Sequence, residues 1–126
     1  MKLGLTTIVI HDYDEAIDFF VNILGFGLDK DVIVTPEKRW VVVRPTQGDA
    51  GLLLAKAINQ EQKVVVGNQT GGRVGFFLHV KNFDEIYEKY LSRGVRFLER
   101  PRTESYGRVV VFLDLYGNKW DLIESS

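Results

Sequence analysis

The chain repeats itself. Residues 8–28, IVIHDYDEAIDFFVNILGFGL, and residues 77–98, FLHVKNFDEIYEKYLSRGVRFL, follow one plan, and internal repetition constrains a fold before any local signal does. Asp12-Tyr13-Asp14-Glu15 falls on Asn82-Phe83-Asp84-Glu85. In both halves a β-rich apolar run leads into a helix. Asp12 and Asn82 are in place as N-caps, and Glu15 and Glu85, three residues on, complete a capping box. Both helices are expected to stop at glycine, Gly25 and Gly94, where a left-handed residue closes the last turn. Helical spacing predicts burial of Ile17, Phe20, Ile23 and Leu24 in the first helix, and of Ile86, Tyr90 and Leu91 in the second.

Strand-like segments follow each helix. After the first come 26–33, 39–45 and 51–57; after the second come 95–101, 107–115 and 118–124. Turn residues separate them, among them Thr35-Pro36, Gln47-Gly48-Asp49, Pro101 and Tyr116-Gly117-Asn118. The chain therefore reads βαβββ twice. The expected organisation is one domain, 1–126, with a first module at 1–57, a second at 73–126, and a connector at 58–72 holding a helical turn and a glycine-rich stretch.

Composition narrows the function classes. A chain of 126 residues with 45% hydrophobic and 26% charged residues is ordinary for one globular domain. The net charge is −1 and no basic run stands out, so a nucleic-acid partner is not expected. No apolar stretch has membrane-spanning length, and the start, MKLGLTTIVIHDYDEA, turns polar too early for a signal peptide. Cysteine is absent, which removes disulfides, thiolate metal sites and cysteine nucleophiles and fits a cytoplasmic setting.

With VIHDYDEAIDFFVNILGF, RGVRF and VFLDLYGNKWDLIE in both halves, the chain resembles the vicinal oxygen chelate superfamily of glyoxalases, bleomycin-resistance proteins and extradiol dioxygenases. The resemblance implies an α+β fold in which two βαβββ modules form curved mixed sheets around a cup. It also implies homodimers, since many members dimerise to complete their cups. In the family's enzymes a divalent metal is held by His or Glu from four positions, two per module. Those positions fall here on Leu5, Gly75, Asp121, and Leu52 or Leu53. Leucine and glycine have no side-chain donor, and a single carboxylate is a poor site for a divalent ion. The expectation is therefore no metal. The alternative is an atypical site for Zn, Mn, Ni or Fe. His79, on the same strand face as Gly75 and Phe77, lies about 13 Å beyond the Gly75 position, too far to replace that donor. His11 stands beside the helix cap, and a relocated His11–His79 site has little support.

Asp121 is the residue the sequence leaves open. Strands disfavour aspartate, and its neighbours Trp120, Leu122 and Ile123 are apolar. In a partly apolar cup its pKa would rise unless a cation compensated, and Arg39, Arg73 and Arg108, all at strand starts, were candidates for that cation. Asp121 reads as an anchor for a ligand's polar or cationic group, as a general acid or base, or as an inert buried remnant. Other ligand-binding candidates are Leu5, Thr7, Trp40, Leu53, Gly75, Phe77, His79, Tyr106 and Arg108. Trp40 can stack on a flat ligand or fill the core, and Tyr106 sits at a strand rim. Arg100, Arg102 and Glu104 read either as an anion clamp or as a solvated loop with local ion pairs. Gly75 marks a close approach or an enlarged pocket. The GNQTGG stretch (67–72) reads as a lid or as a plain linker. The reading is a small-molecule-binding protein; the alternative is a glyoxalase-like lyase or isomerase, or a dioxygenase, working through an atypical metal site or through acid–base chemistry at Asp121.

Overall fold

A computed structural model of the chain describes residues 1–125. The chain divides into two compact units, Met1–Val66 and the residues from Gly67 onward. The stretch expected as a connector is shared between them: 58–66 belongs to the first unit and 67–72 to the second. Each unit is a helix packed on one open, mixed sheet.

The first unit runs β1 (Leu5–Ile10), α1 (Tyr13–Ile17), β2 (Gly27–Ile33), β3 (Arg39–Arg44), β4 (Gly51–Lys56) and α2 (Gln60–Val65). The sheet order is β1-β4-β3-β2, with β1 parallel to β4 and the other pairs antiparallel. Alternation sends Ile8, Ile10, Val41, Val43, Leu52 and Leu54 to one face, where all are buried. Ala16, Phe20, Leu24 and Phe26 are buried with them. Asp12 caps α1, its carboxylate accepting the Glu15 N–H at 2.8 Å. The winding then changes. Residues Asp18–Ile23 form a π-helical continuation, and the Leu24 N–H reaches the Phe19 carbonyl at 3.0 Å, five residues back. The wider turn draws Tyr13 and Ala16 into the core and leaves Ile17 and Ile23 only half-buried, a departure from the burial that plain helical spacing predicts.

The second unit runs β5 (Val74–Val80), α3 (Phe83–Ser92), β6 (Arg96–Phe97), β7 (Arg102–Glu104), β8 (Gly107–Leu113) and β9 (Lys119–Glu124). The path is β5-β9-β8-β6, with β7 also on β8. The strand expected at 95–101 is two short ones. Leu98 N–H still bonds the Val111 carbonyl, but the Val111 N–H is taken by the Glu99 carboxylate at 3.1 Å, and Pro101 has no N–H to give. Helix α3 ends at Gly94 with φ of 82°, and Val95 N–H bonds the Tyr90 carbonyl, as a left-handed closure requires. At its start the Asn82 amide donates to the Glu85 carboxylate at 2.9 Å, while the Asn82 side chain caps no backbone N–H. Phe83 and Tyr90 are buried under α3, but Leu91, expected in the core, is 48% exposed.

One aspartate holds the β8–β9 turn. Asp114 is 1% exposed. Its Oδ1 accepts the backbone N–H groups of Tyr116, Gly117 and Asn118 at 3.0, 3.1 and 3.0 Å. Its Oδ2 accepts the Asn118 amide and the Trp120 indole, both at 3.0 Å. Gly117, with φ of 108°, supplies the conformation that aims three amides at one oxygen. The DLYGNKW run is thus one hydrogen-bonded object. The 67–72 segment is fastened to it: the Gln69 N–H points to Asn118 Oδ1 at 3.4 Å and Lys119 Nζ to the Gly72 carbonyl at 3.1 Å. An added Cβ on Gly67 would lie 1.9 Å from the Tyr116 carbonyl oxygen, so only glycine fits there. Asp114→Ala strands five donors, and urea unfolding should show a loss of about 2 kcal/mol or more; an unchanged midpoint would contradict the assigned role.

Candidate functional site

The two sheets each present an open face opposite the helix, and corresponding positions can be matched by register. In the first sheet Thr7 pairs with Leu53, and Leu53 with Val42. In the second, Phe77 pairs with Asp121, and Asp121 with Val111. Thr7 and Phe77 each stand five residues before their helix cap. The counterpart of Asp121 is therefore Leu53, not Leu52, which lies buried on the helix side.

On the second sheet Asp121 lies in an apolar row. Phe77 on one side is 58% exposed; Val111 is half-buried on the other, with Leu98 exposed beyond it. The neighbouring row holds His79, Ile123 and Val109, with His79 exposed. Asp121 Oδ1 is buried and accepts no hydrogen bond from the described residues. Desolvation pushes its carboxyl above the ordinary 3.8, partly countered by Arg102 and reinforced by Glu99.

The cations expected beside Asp121 are engaged elsewhere. Arg39 is clasped by Asp31 at 2.6 Å and Asp14 at 2.8 Å. Arg108 points to the helix side, pairing with Asp84 and lying 5.0 Å over the Phe83 ring, so it does not share a face with Asp121. The cation whose field reaches Asp121 is Arg102, and it is committed to Glu99 at 3.0 Å and Glu104 at 2.8 Å. Tyr106, exposed at the β7–β8 turn, bonds Arg102 as well. Arg102 pairs in register with Val109, one row from Asp121. Alternation along a continuous 95–104 strand would have revealed this, but the break at Pro101 hides it.

Gly75 is not open space. It lies in the bulge between Val74 and Phe76, and a Cβ there would meet Thr70 Cγ2 at 2.7 Å. The enlarged pocket expected at Gly75 is occupied by Thr70, whose hydroxyl is tied to the Arg73 carbonyl.

On the first sheet the open face carries Leu5 and Leu53, both half-buried, exposed Thr7, and Trp40, which is 38% exposed. Trp40 and Leu53 line a cleft of about 400 Å³ with Ile58, Lys38, Lys56 and Gln62. His11 is exposed beside the α1 cap.

A family model matches residues 2–122, that of the glyoxalase/bleomycin resistance protein/dioxygenase superfamily. The chain belongs to this superfamily. A protein of Shewanella frigidimarina (strain NCIMB 400) is 47% identical over 119 residues, covering 93% of this chain and 88% of that protein. Among solved structures, UcmS2 superimposes with a TM-score of 0.84 at 28% identity, covering 99% of this chain and 98% of its own. TnmS3, described as an antibiotic binding protein from Streptomyces sp. CB03234, gives 0.82 at 26% identity, covering 100% and 97%. A superfamily member from Sphaerobacter thermophilus DSM 20745 gives 0.76 at 29%, covering 99% and 98%.

A resident divalent metal does not fit the residues present. The positions that the superfamily resemblance assigns to donors hold Leu5, Leu53, Gly75 and Asp121. Among the described residues no group of three or more His, Cys, Asp or Glu is placed to hold an ion. No helix of the described residues is long and apolar enough to cross a membrane.

The raised pKa of Asp121 has a signed consequence. The folded state holds this proton more tightly than the unfolded chain, so Asp121 favours folding below pH 3.8 and loses that contribution as pH rises through its folded pKa. Asp121→Asn should therefore raise the thermal midpoint at pH 7.5, with the gain shrinking toward pH 3.8 in differential scanning fluorimetry; a lower midpoint at pH 7.5 would show that the carboxylate is compensated.

Proposed function

We propose that this superfamily member binds a small organic molecule without a resident metal, with Asp121 as the polar anchor of the site. The observation that carries this reading is a carboxylate oxygen buried among apolar side chains with no donor from the described residues. Unsatisfied buried acceptors are uncommon, because each costs about 1–3 kcal/mol. A ligand group that donates a hydrogen bond or carries positive charge would remove that cost, while exposed Phe77 and Leu98 offer apolar contact to its body. The likeness to TnmS3, an antibiotic binding protein, supports binding over chemistry.

The protein acts as a homodimer in this reading. All seven residues of β2 are exposed, including Val32 and Ile33, at the edge of the first sheet. A bare apolar edge strand is a surface that proteins ordinarily cover. Light scattering should give twice the chain mass; a monomer at micromolar concentration removes this part of the proposal.

A proton-transfer role for Asp121 in a glyoxalase-like enzyme is the second reading, favoured by its raised pKa. A thermal-shift screen over metabolites and antibiotics separates the two. Hits whose stabilisation weakens in Asp121→Asn, and which are recovered chemically unchanged, support the anchor. Turnover that disappears in Asp121→Asn supports the enzyme. Hits unaffected by the substitution overturn both roles, and stoichiometric metal in protein purified without chelator overturns the metal-free reading.

A further inference from the structure

The first unit carries a binding cleft that the Asp121 reading leaves unused. Its volume of about 400 Å³ lies within the range of about 300–1,000 Å³ that small-molecule pockets occupy. Trp40, Leu53 and Ile58 give it apolar walls, and Lys38, Lys56 and Gln62 stand in the same lining.

Three features define the chemistry of its occupant. The Trp40 indole makes no hydrogen bond or ring contact with the described residues. A large flat ring left open in this way offers a stacking face and a free N–H donor. The ammonium groups of Lys38 and Lys56 have no acidic partner among the described residues, in contrast to Arg39 beside them, which two aspartates neutralise. Finally, Gln62 Oε1 accepts the Ile58 N–H at 2.9 Å. That bond fixes the side chain and leaves its NH₂ group as a donor with nothing to donate to. Glu37 is the single carboxylate of the lining, so two free cations face one anion.

We propose that this cleft binds a planar aromatic molecule bearing a carboxylate, its ring on Trp40 and its oxygens held by Lys38, Lys56 and the Gln62 amide. The inference is independent of the Asp121 site, which calls for a donor or a cation where this cleft calls for an acceptor.

The test uses 2-naphthoate and its neutral isostere 2-naphthamide on the full ¹⁵N-labelled chain. The chain has two tryptophans, and the Trp120 indole is bonded to Asp114 in the core, so the two indole signals separate cleft from interior. Binding of 2-naphthoate should move the Trp40 indole signal and leave that of Trp120 in place. Its affinity should exceed that of 2-naphthamide by about tenfold. The preference should vanish in Lys38→Gln/Lys56→Gln and weaken as salt rises. Trp40→Leu should remove binding of both compounds in calorimetry, and Asp121→Asn should change neither. Equal affinity for acid and amide would overturn the proposal. So would a preference that survives the lysine substitutions, a Trp40 signal that stays still at saturation, or no binding at millimolar 2-naphthoate.

Discussion

The Asp114 carboxylate is the constraint on which the second unit depends. Five donors converge on its two oxygens, three from the backbone of the turn, one from Asn118 and one from Trp120. A buried charge is tolerable only when its lone pairs are met in this way. The turn so formed fixes where β9 begins, and the start of β9 decides which of its residues face the helix. Trp120 and Leu122 go inward, stacking on Phe76 and Phe112 in the case of Trp120. Asp121, between them, must then face out. The satisfied acid and the unsatisfied one are seven residues apart, and the first determines the setting of the second.

The halves share a plan but divide their polar chemistry differently. At matched register the second sheet has an acid where the first has Leu53, and an exposed phenylalanine where the first has Thr7. The first sheet has an open indole and two unpaired lysines at its rim. The repeat supplies the scaffold, and the few residues that break the repeat supply the recognition chemistry.

Much of the architecture was legible in the chain because it rests on local rules. The two caps, the glycine stops and the β-runs follow from side-chain chemistry within a few residues, and the observed strands start and end close to the turn signals. What was not legible came from contacts distant in sequence or from backbone geometry without a side-chain signature. The π-helical winding after Ile17 has no residue pattern of its own. Division of the 95–101 strand depends on the Glu99 carboxylate taking the Val111 N–H, twelve residues away. Gly75 was identifiable as a close approach, but not that Thr70 was what approached. Asp114 was visible only as part of a motif; its donors become apparent when the turn is folded. The Asp121 face was readable from alternation, whereas Arg102, the cation that influences it, was not.

The π-helical stretch has a consequence for how this chain tolerates changes in length. Hydrogen-bonded rings spanning five residues accommodate a surplus residue that an ordinary helix would expel as a loop. Removing one position between Asp18 and Ile23 would let the segment rewind at 3.6 residues per turn, keeping the helix while rotating everything after it by about 100°. Phe26 and the entry to β2 would then arrive in a different orientation. A single deletion here would leave the helical content intact and re-aim an edge strand, which makes this short stretch a natural place for relatives to alter one sheet without disturbing its core.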